Sequence, residues 1–221
     1  LRGFIVGTKE RREREKENLR QEILDAARQL FLRNGYENVS MRQIAKKIEY
    51  SPTTIYLYFK NKSELFHSLC EEAFAKLEKQ LDGIVKIDVD PARLPSKGME
   101  ASTDPVWCLR KGAEAYIRFG LHYPHHYRLL FLTPHPEDKD PEFQFKGSAG
   151  ERSFRFLLEI ISLGIEQGKF RKSDPMMLAQ TCWAVMHGIT SLLITQMDFP
   201  WVDKEGLIQS VVDALVRGVE A

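Results

Sequence analysis

The stretch from Ser40 to Lys62, SMRQIAKKIEYSPTTIYLYFKNK, leaves little choice of local fold. Ser40 followed by Gln43 is a capping box, in which each side chain satisfies a backbone N–H exposed at a helix start. The helix it opens turns Ile44, Ala45 and Ile48 inward and Arg42, Lys46 and Lys47 outward. Ser51 offers a second cap, with Pro52 at the first helical position, where a missing N–H costs nothing. This second helix is expected over Pro52 to Phe59, with Ile55 and Phe59 in the core. Only Glu49 and Tyr50 separate the two helices, so they must cross sharply, as in a helix-turn-helix. Charge is placed to match. The chain carries a net charge of only +1, yet residues 1–62 hold 14 Lys+Arg against 8 Asp+Glu, leaving 18 against 23 for the rest. A basic end that coincides with such a motif is what phosphate binding requires.

The residues also carry a resemblance. Ile44-Ala45, Tyr50-Ser51, Thr54-Ile55-Tyr56 and the run Tyr58 to Phe66, YFKNKSELF, resemble the signature of TetR-type bacterial transcriptional regulators, over residues 17–70. Glu49 departs from it, standing where the family usually has a turn glycine, and a left-handed backbone there is awkward for glutamate. The resemblance implies an all-α chain: a three-helix DNA-binding domain over residues 1–64, a linking helix from Lys62, and a helical ligand-binding and dimerisation domain over residues 65–221. It implies that Thr53, Thr54, Tyr56 and Tyr58, beside the caps Ser40 and Ser51, face DNA, with Arg42 reaching a base and Lys62 a phosphate. Hydroxyls suit phosphates and base edges, and tyrosine adds a flat apolar face for a thymine methyl. Tyr56 packing partly into the core is the competing role.

Taken in order, residues 1–16, with the run RREREKE, read either as a frayed helix start or as a DNA-contacting arm. A supporting helix runs from Glu17 to Asn34, with Leu19, Ile23, Ala26, Ala27, Leu30 and Phe31 inward and Gly35 as its stop. Asn61 with Glu64 starts a fourth helix, carrying Leu65, Phe66, Leu69, Ala73, Phe74, Leu77 and Leu81. Asp82–Thr103 breaks periodicity and reads as a linker, and Thr133–Gly147 as a loop. Helices are expected from Asp104-Pro105 to Tyr123, from Pro124 to Phe131, and over Ser153–Gln167, Asp174–Met197 and Asp203–Gly218, with no alternating strand.

At 221 residues, with 43% hydrophobic and 29% charged, the chain can bury a core, and one or two domains are expected. Cys70, Cys108 and Cys182 are far apart and odd in number, which argues against a disulfide framework or zinc site and for a cytoplasmic location. No apolar run reads as membrane-spanning, and Phe4–Val6 is too short for a signal-peptide core, so no membrane partner is expected.

Three groupings in the second half are chemically suggestive. His122, His125 and His126 could be metal ligands, but Pro124 interrupts the helix between them and no cysteine or carboxylate stands at ligand spacing, so no metal is expected. Trp183, His187 and Gly188 resemble the Trp-His-Gly signature of one TetR-type subgroup; they form either a core pair or a pocket wall. Tyr116, Phe119, Tyr123, Tyr127, Phe131, Phe154, Leu157, Ile161, Trp183, Met186 and His187 either fill a core or line a cavity, and the resemblance favours a cavity for an apolar or aromatic effector. Val185, Ile189, Leu192 and Leu193, with Leu207, Ile208, Val211, Val212 and Leu215, exceed one core-facing stripe and are expected to pair two copies as a homodimer.

Enzyme signatures are absent: there is no phosphate-binding glycine loop, G-x-S-x-G or H-E-x-x-H, and adjacent Glu71 and Glu72 diverge on a helix. The expectation is therefore a regulator without cofactor, one that binds a palindromic double-stranded operator as a repressor and is released by a small effector. The other class compatible with these residues is an architectural protein that binds DNA without sequence preference.

Overall fold

The structure, a computed structural model, describes residues 8–81, 84, 104–133 and 148–221. Among them it is all-α, as the periodicity predicts. The helices are α1 (Thr8–Asn34), α2 (Met41–Lys47), α3 (Pro52–Tyr56), α4 (Lys62–Leu81), α5 (Pro105–His122), α6 (Pro124–Tyr127), α7 (Ala149–Glu166), α8 (Pro175–Thr195) and α9 (Lys204–Val219). A π-helical turn, Arg128–Leu132, follows α6, where an α-helix through Phe131 was expected. The linker and loop expected at 82–103 and 133–147 lie outside the described residues, except for Ile84 and Thr133. Two compact units are present: residues 8–72 with 128–133, and residues 73–81, 84, 104–127 and 148–221. Helix α4 contributes to both.

In the first unit the core is built from Ile23, Leu24, Ala27 and Phe31 of α1, Ile44 and Ala45 of α2, Ile55 of α3, and Phe59, Leu65, Phe66 and Leu69. Phe31, Tyr36 and Phe66 form a ring cluster with centroids 5.1–5.7 Å apart, in tilted and edge-on pairings that aromatic quadrupoles favour. Helix α1 begins at Thr8 rather than Glu17, and an i,i+4 pair between Arg11 and Glu15 (2.8 Å) supports the added turns. Gly35, at φ +78°, ends it.

Both caps of the helix-turn-helix form. The Ser40 N–H donates to Gln43 Oε1 (2.7 Å) and the Gln43 N–H to Ser40 Oγ (3.3 Å), while the Thr54 N–H donates to Ser51 Oγ (3.2 Å). Helix α3 is shorter than expected and stops at Tyr56, with Leu57 as its C-cap. Glu49 has φ +61°, so the turn keeps the left-handed geometry, which costs glutamate more than it would glycine. Glu49→Gly is therefore expected to stabilise the chain by about 1 kcal/mol, the left-handed penalty of roughly 1–2 kcal/mol less glycine's extra unfolded entropy. Urea unfolding measures it; an unchanged or lowered midpoint would show that the turn carries no such strain.

In the second unit α5 is the central helix, packed against α7, α8 and α9. Its Leu109, Ala113 and Ile117 meet a core made of Ile160 and Ile161 of α7, Leu178, Cys182 and Met186 of α8, and Ile208, Val212 and Val216 of α9. Ion pairs fasten the rim: Arg110 to Asp213, Arg118 to Glu205 (2.6 Å), and Arg152 to Glu78 (3.0 Å). Helix α7 starts after Ser148, whose Oγ accepts the Glu151 N–H (3.1 Å), one turn earlier than the expected Ser153. Helix α8 overturns one expectation, because its 21 residues are long and apolar enough to cross a bilayer by length and composition. Packing against α5, α7 and α9 gives much of that apolar surface a place inside the unit. Cys70, Cys108 and Cys182 are buried thiols that form no disulfide, and burial pushes them up to about 12, 11 and 11, which keeps them protonated and unreactive.

Candidate nucleic-acid interface and effector site

Two groups of residues stand out, one in each unit. In the first, α2 and α3 leave a polar and basic surface: Ser40, Arg42, Lys46 and Lys47 of the α2 region, Ser51 and Thr53 at the start of α3, then Tyr56, Leu57 and Lys60, are all exposed. Thr53, Tyr56 and Leu57, at i, i+3 and i+4, share the outer face of α3, while Ile55 is fully buried on the inner one. Tyr56 is 53% exposed, so its ring is available to a partner rather than packed in the core. Ser40 and Ser51 are committed first to capping, and Thr54 is half-buried with Oγ1 2.9 Å from Ser51 Oγ. Thr54 therefore shapes the cap as much as it offers a hydroxyl. Tyr58 is half-buried, beside this face rather than on it.

Lys62, expected to reach a phosphate, is also engaged within the headpiece. Its ammonium donates to the Tyr36 carbonyl (2.8 Å) and lies 4.1 Å from the centroid of the Tyr36 ring. The lysine thus ties the start of α4 to the segment after α1. Replacing it would loosen the headpiece by removing this tie. Leu57, 76% exposed, is a residue that sequence reasoning missed. The signal was available: a leucine flanked by two tyrosines at a position that neither Ile55 nor Phe59 shares a face with.

The second group lies where α5, α6 and α8 of the second unit meet. Trp183 Nε1 donates to Tyr116 Oη (3.1 Å), Tyr116 Oη is 3.3 Å from Tyr127 Oη, and Tyr127 Oη is 2.7 Å from His187 Nδ1. The four side chains form one hydrogen-bonded string, with the Tyr127 and His187 rings stacked at 5.6 Å and Phe154 edge-on to Trp183 at 6.1 Å. Burial pushes the Tyr116 phenol up to about 12 and raises that of Tyr127 further, so both stay protonated. Burial lowers the His187 pKa, which favours the neutral ring. A neutral imidazole accepts at Nδ1 from the phenol O–H in one tautomer and donates to the phenol oxygen in the other. The string starts at the Trp183 N–H, which can only donate, and ends at His187.

The other residues expected at an effector site divide. Leu157 and Met186 are buried in the same unit. Phe119 and Tyr123 pair at 5.7 Å, with Lys76 5.8 Å from the Tyr123 ring. His122 and His126 both lie edge-on to Tyr123, so these imidazoles belong to an aromatic cluster. Phe131, on the π-helical turn, falls in the first unit. Gly120 was missed: a Cβ there would overlap Thr190 Cγ2 and come 2.9 Å from Tyr127 Cδ2, so its lack of a side chain lets α5 approach Thr190 and Tyr127. Gly188 behaves otherwise than a close-packing glycine, because a Cβ there would meet nothing within 4 Å.

Comparison with known proteins bears on both halves. Residues 23–69 match the family described as bacterial regulatory proteins, tetR family, and residues 109–215 match a tetracyclin repressor-like C-terminal domain. The HTH-type transcriptional regulator UidR of Escherichia coli K12 is 36% identical over 73 residues, 31% of this chain and 37% of that protein. The fatty acid metabolism regulator protein of Bacillus subtilis is 35% identical over 65 residues, 29% of this chain and 34% of that protein. These alignments thus span little more than a third of the curated relatives' length. The TetR family transcriptional regulator PfmR of Thermus thermophilus shares the fold at a TM-score of 0.65 and 24% identity, covering 90% of this chain and 99% of that one.

Proposed function

The chain belongs to the tetR family of bacterial regulatory proteins, and from that premise we propose that it is a sequence-specific transcriptional repressor, binding a palindromic operator as a homodimer and releasing it when a small apolar or aromatic molecule occupies the second unit. The observation that carries the DNA-binding reading is the outer face of α3, where Thr53 and Tyr56 stand exposed among Arg42, Lys46, Lys47 and Lys60. Cations hold phosphates without regard to sequence, and the side chains of α3 meet base edges. A five-residue helix reaches few base pairs, so selectivity needs two copies on two half-sites. An architectural protein would have no use for a second unit holding a hydrogen-bonded polar string inside an aromatic setting. The chain's relatives are regulators, which supports a non-enzymatic role. Nothing in this function requires a cofactor or a membrane, and the cytoplasm is where the operator is.

The effector reading rests on the Trp183–Tyr116–Tyr127–His187 string, whose ends are partly exposed: Trp183 is 38% exposed and His187 half-buried. Apolar surroundings with a few placed polar groups suit a ligand of mostly apolar character, and no cationic side chain belongs to the string to favour a strongly anionic one. Release requires the effector to bind better to a conformation that holds DNA poorly, and operator DNA must weaken effector binding by the same factor. Helix α4, which contributes to both units, is the element through which the two sites would be coupled.

Selection from a random duplex library with the full chain tests the DNA reading, and the enriched sequences should contain a short inverted repeat. Tyr56→Ala should weaken binding to that duplex by about 1–3 kcal/mol while leaving non-specific binding nearly unchanged. Enrichment of no common sequence would favour the architectural alternative.

A further inference from the structure

Resting on the DNA-binding function proposed above, we infer that Leu57 reads the 5-methyl group of a thymine in each half-site. A single exposed leucine is ordinary on a protein surface, so its exposure alone decides nothing. Its setting does. Among the described residues from 8 to 72, the large apolar side chains left exposed are Tyr50 (44%), Tyr56 (53%) and Leu57 (76%), all within the helix-turn-helix, while Ile23, Leu24, Phe31, Ile44, Ile55, Phe59 and Phe66 are buried. Among these residues the headpiece thus leaves no other large apolar group exposed, and it presents these three on the helix-turn-helix that also exposes the cations Arg42, Lys46, Lys47 and Lys60.

Tyr50 and Tyr56 carry hydroxyls and can be satisfied by phosphates, base edges or water. Leu57 carries no polar side-chain atom, so neither a phosphate nor a base-edge donor or acceptor gives it a favourable contact. In the major groove the apolar group that duplex DNA offers is the thymine C5-methyl. Thr53 and Tyr56 share the face of Leu57 and supply the hydrogen bonds that would flank such a contact. Specificity at this point comes from shape and desolvation: cytosine at the same position presents no methyl, and an adenine or guanine edge would leave polar groups against the leucine.

The test uses the full chain and the duplex enriched by selection, resynthesised with deoxyuridine in place of one thymidine at a time. This change removes the methyl and keeps the base-pairing edge. For the unsubstituted protein, one thymine per half-site should show binding weakened about fourfold on loss of its methyl, the factor that accompanies removal of one methyl from an apolar contact. Leu57→Ala should bind the thymine duplex about fourfold or more weakly and be indifferent to deoxyuridine at that position. Because Leu57 is exposed, the variant should keep the parent's melting temperature, which controls for folding. Absence of a methyl effect at every thymine overturns the inference, as does an effect that Leu57→Ala retains, since Thr53 or Tyr56 would then be the reader. Failure to enrich any duplex overturns the regulator reading and this inference with it, whereas enrichment without a methyl effect overturns the inference alone.

Discussion

Leu192→Glu is expected to turn the protein into a folded monomer that binds its palindromic operator about 100-fold more weakly, the lower end of what bivalency contributes. Of the nine apolar residues that the sequence offers for pairing on α8 and α9, Ile189, Leu193, Ile208, Val212 and Leu215 are consumed by the chain's own core. Val185 (39% exposed) and Leu192 (46% exposed) are left on the outer side of α8, and Leu207 and Val211 are half-buried on α9. Gly188 lies between the first two on the same face, and the open space above its Cα would allow a second helix to come close. In a two-fold interface every residue acts twice, so one substitution buries two glutamates among apolar groups. Loss of a central apolar anchor costs about 2 kcal/mol or more, and burying an unpaired carboxylate adds to it. Sedimentation at micromolar concentration reads the assembly, circular dichroism checks that the helices persist, and titration of the selected duplex reads affinity. An unsubstituted chain that sediments as a monomer, or a Leu192→Glu chain that stays dimeric, would remove this interface from consideration.

Much of the headpiece was legible because its signals are local. A capping box needs two side chains three residues apart, and Ser40 and Gln43 make the bonds that spacing requires. The Ser51-Pro52 start and the Gly35 stop are read in the same way. What failed was tertiary in origin. Helix α3 ends early although its pattern continues to Phe59, since Phe59 is buried from beyond the helix end. Lys62, exposed and cationic on paper, is drawn to a carbonyl 26 residues earlier in the chain. The Trp183–Tyr116–Tyr127–His187 string joins residues from three helices, so periodicity could name its members but not their order. Phe131 shows the converse: an aromatic residue four positions past Tyr127 whose backbone departs from α-helical geometry and falls in the other unit.

Gly120→Ala is expected to destabilise the protein by about 1–3 kcal/mol, the usual cost of forcing a methyl into a packed core. The sign is the informative part. Glycine inside a helix ordinarily costs about 1 kcal/mol relative to alanine, so propensity alone says that α5 should gain. The new Cβ, however, would overlap Thr190 Cγ2 and stand 2.9 Å from Tyr127 Cδ2. Neither neighbour is free to yield. Thr190 is fully buried, β-branched and held by its Oγ1 donating to the Met186 carbonyl (2.7 Å), and Tyr127 is fully buried with its hydroxyl 2.7 Å from His187 Nδ1. Relief must come from moving α5 away from α8 or from swinging Tyr127, and the second route breaks the string that reaches Trp183. Thermal melting should therefore fall by roughly 2–12 °C for a chain of this length, and the Trp183 fluorescence should shift with it. Gly112→Ala is the matched control on the same helix, because its new Cβ would meet chiefly the half-buried Phe156 ring at 3.2 Å, a milder approach than the overlap at Gly120. A Gly120→Ala protein as stable as the Gly112→Ala one would mean that α5 and α8 are not held together as closely as the string requires.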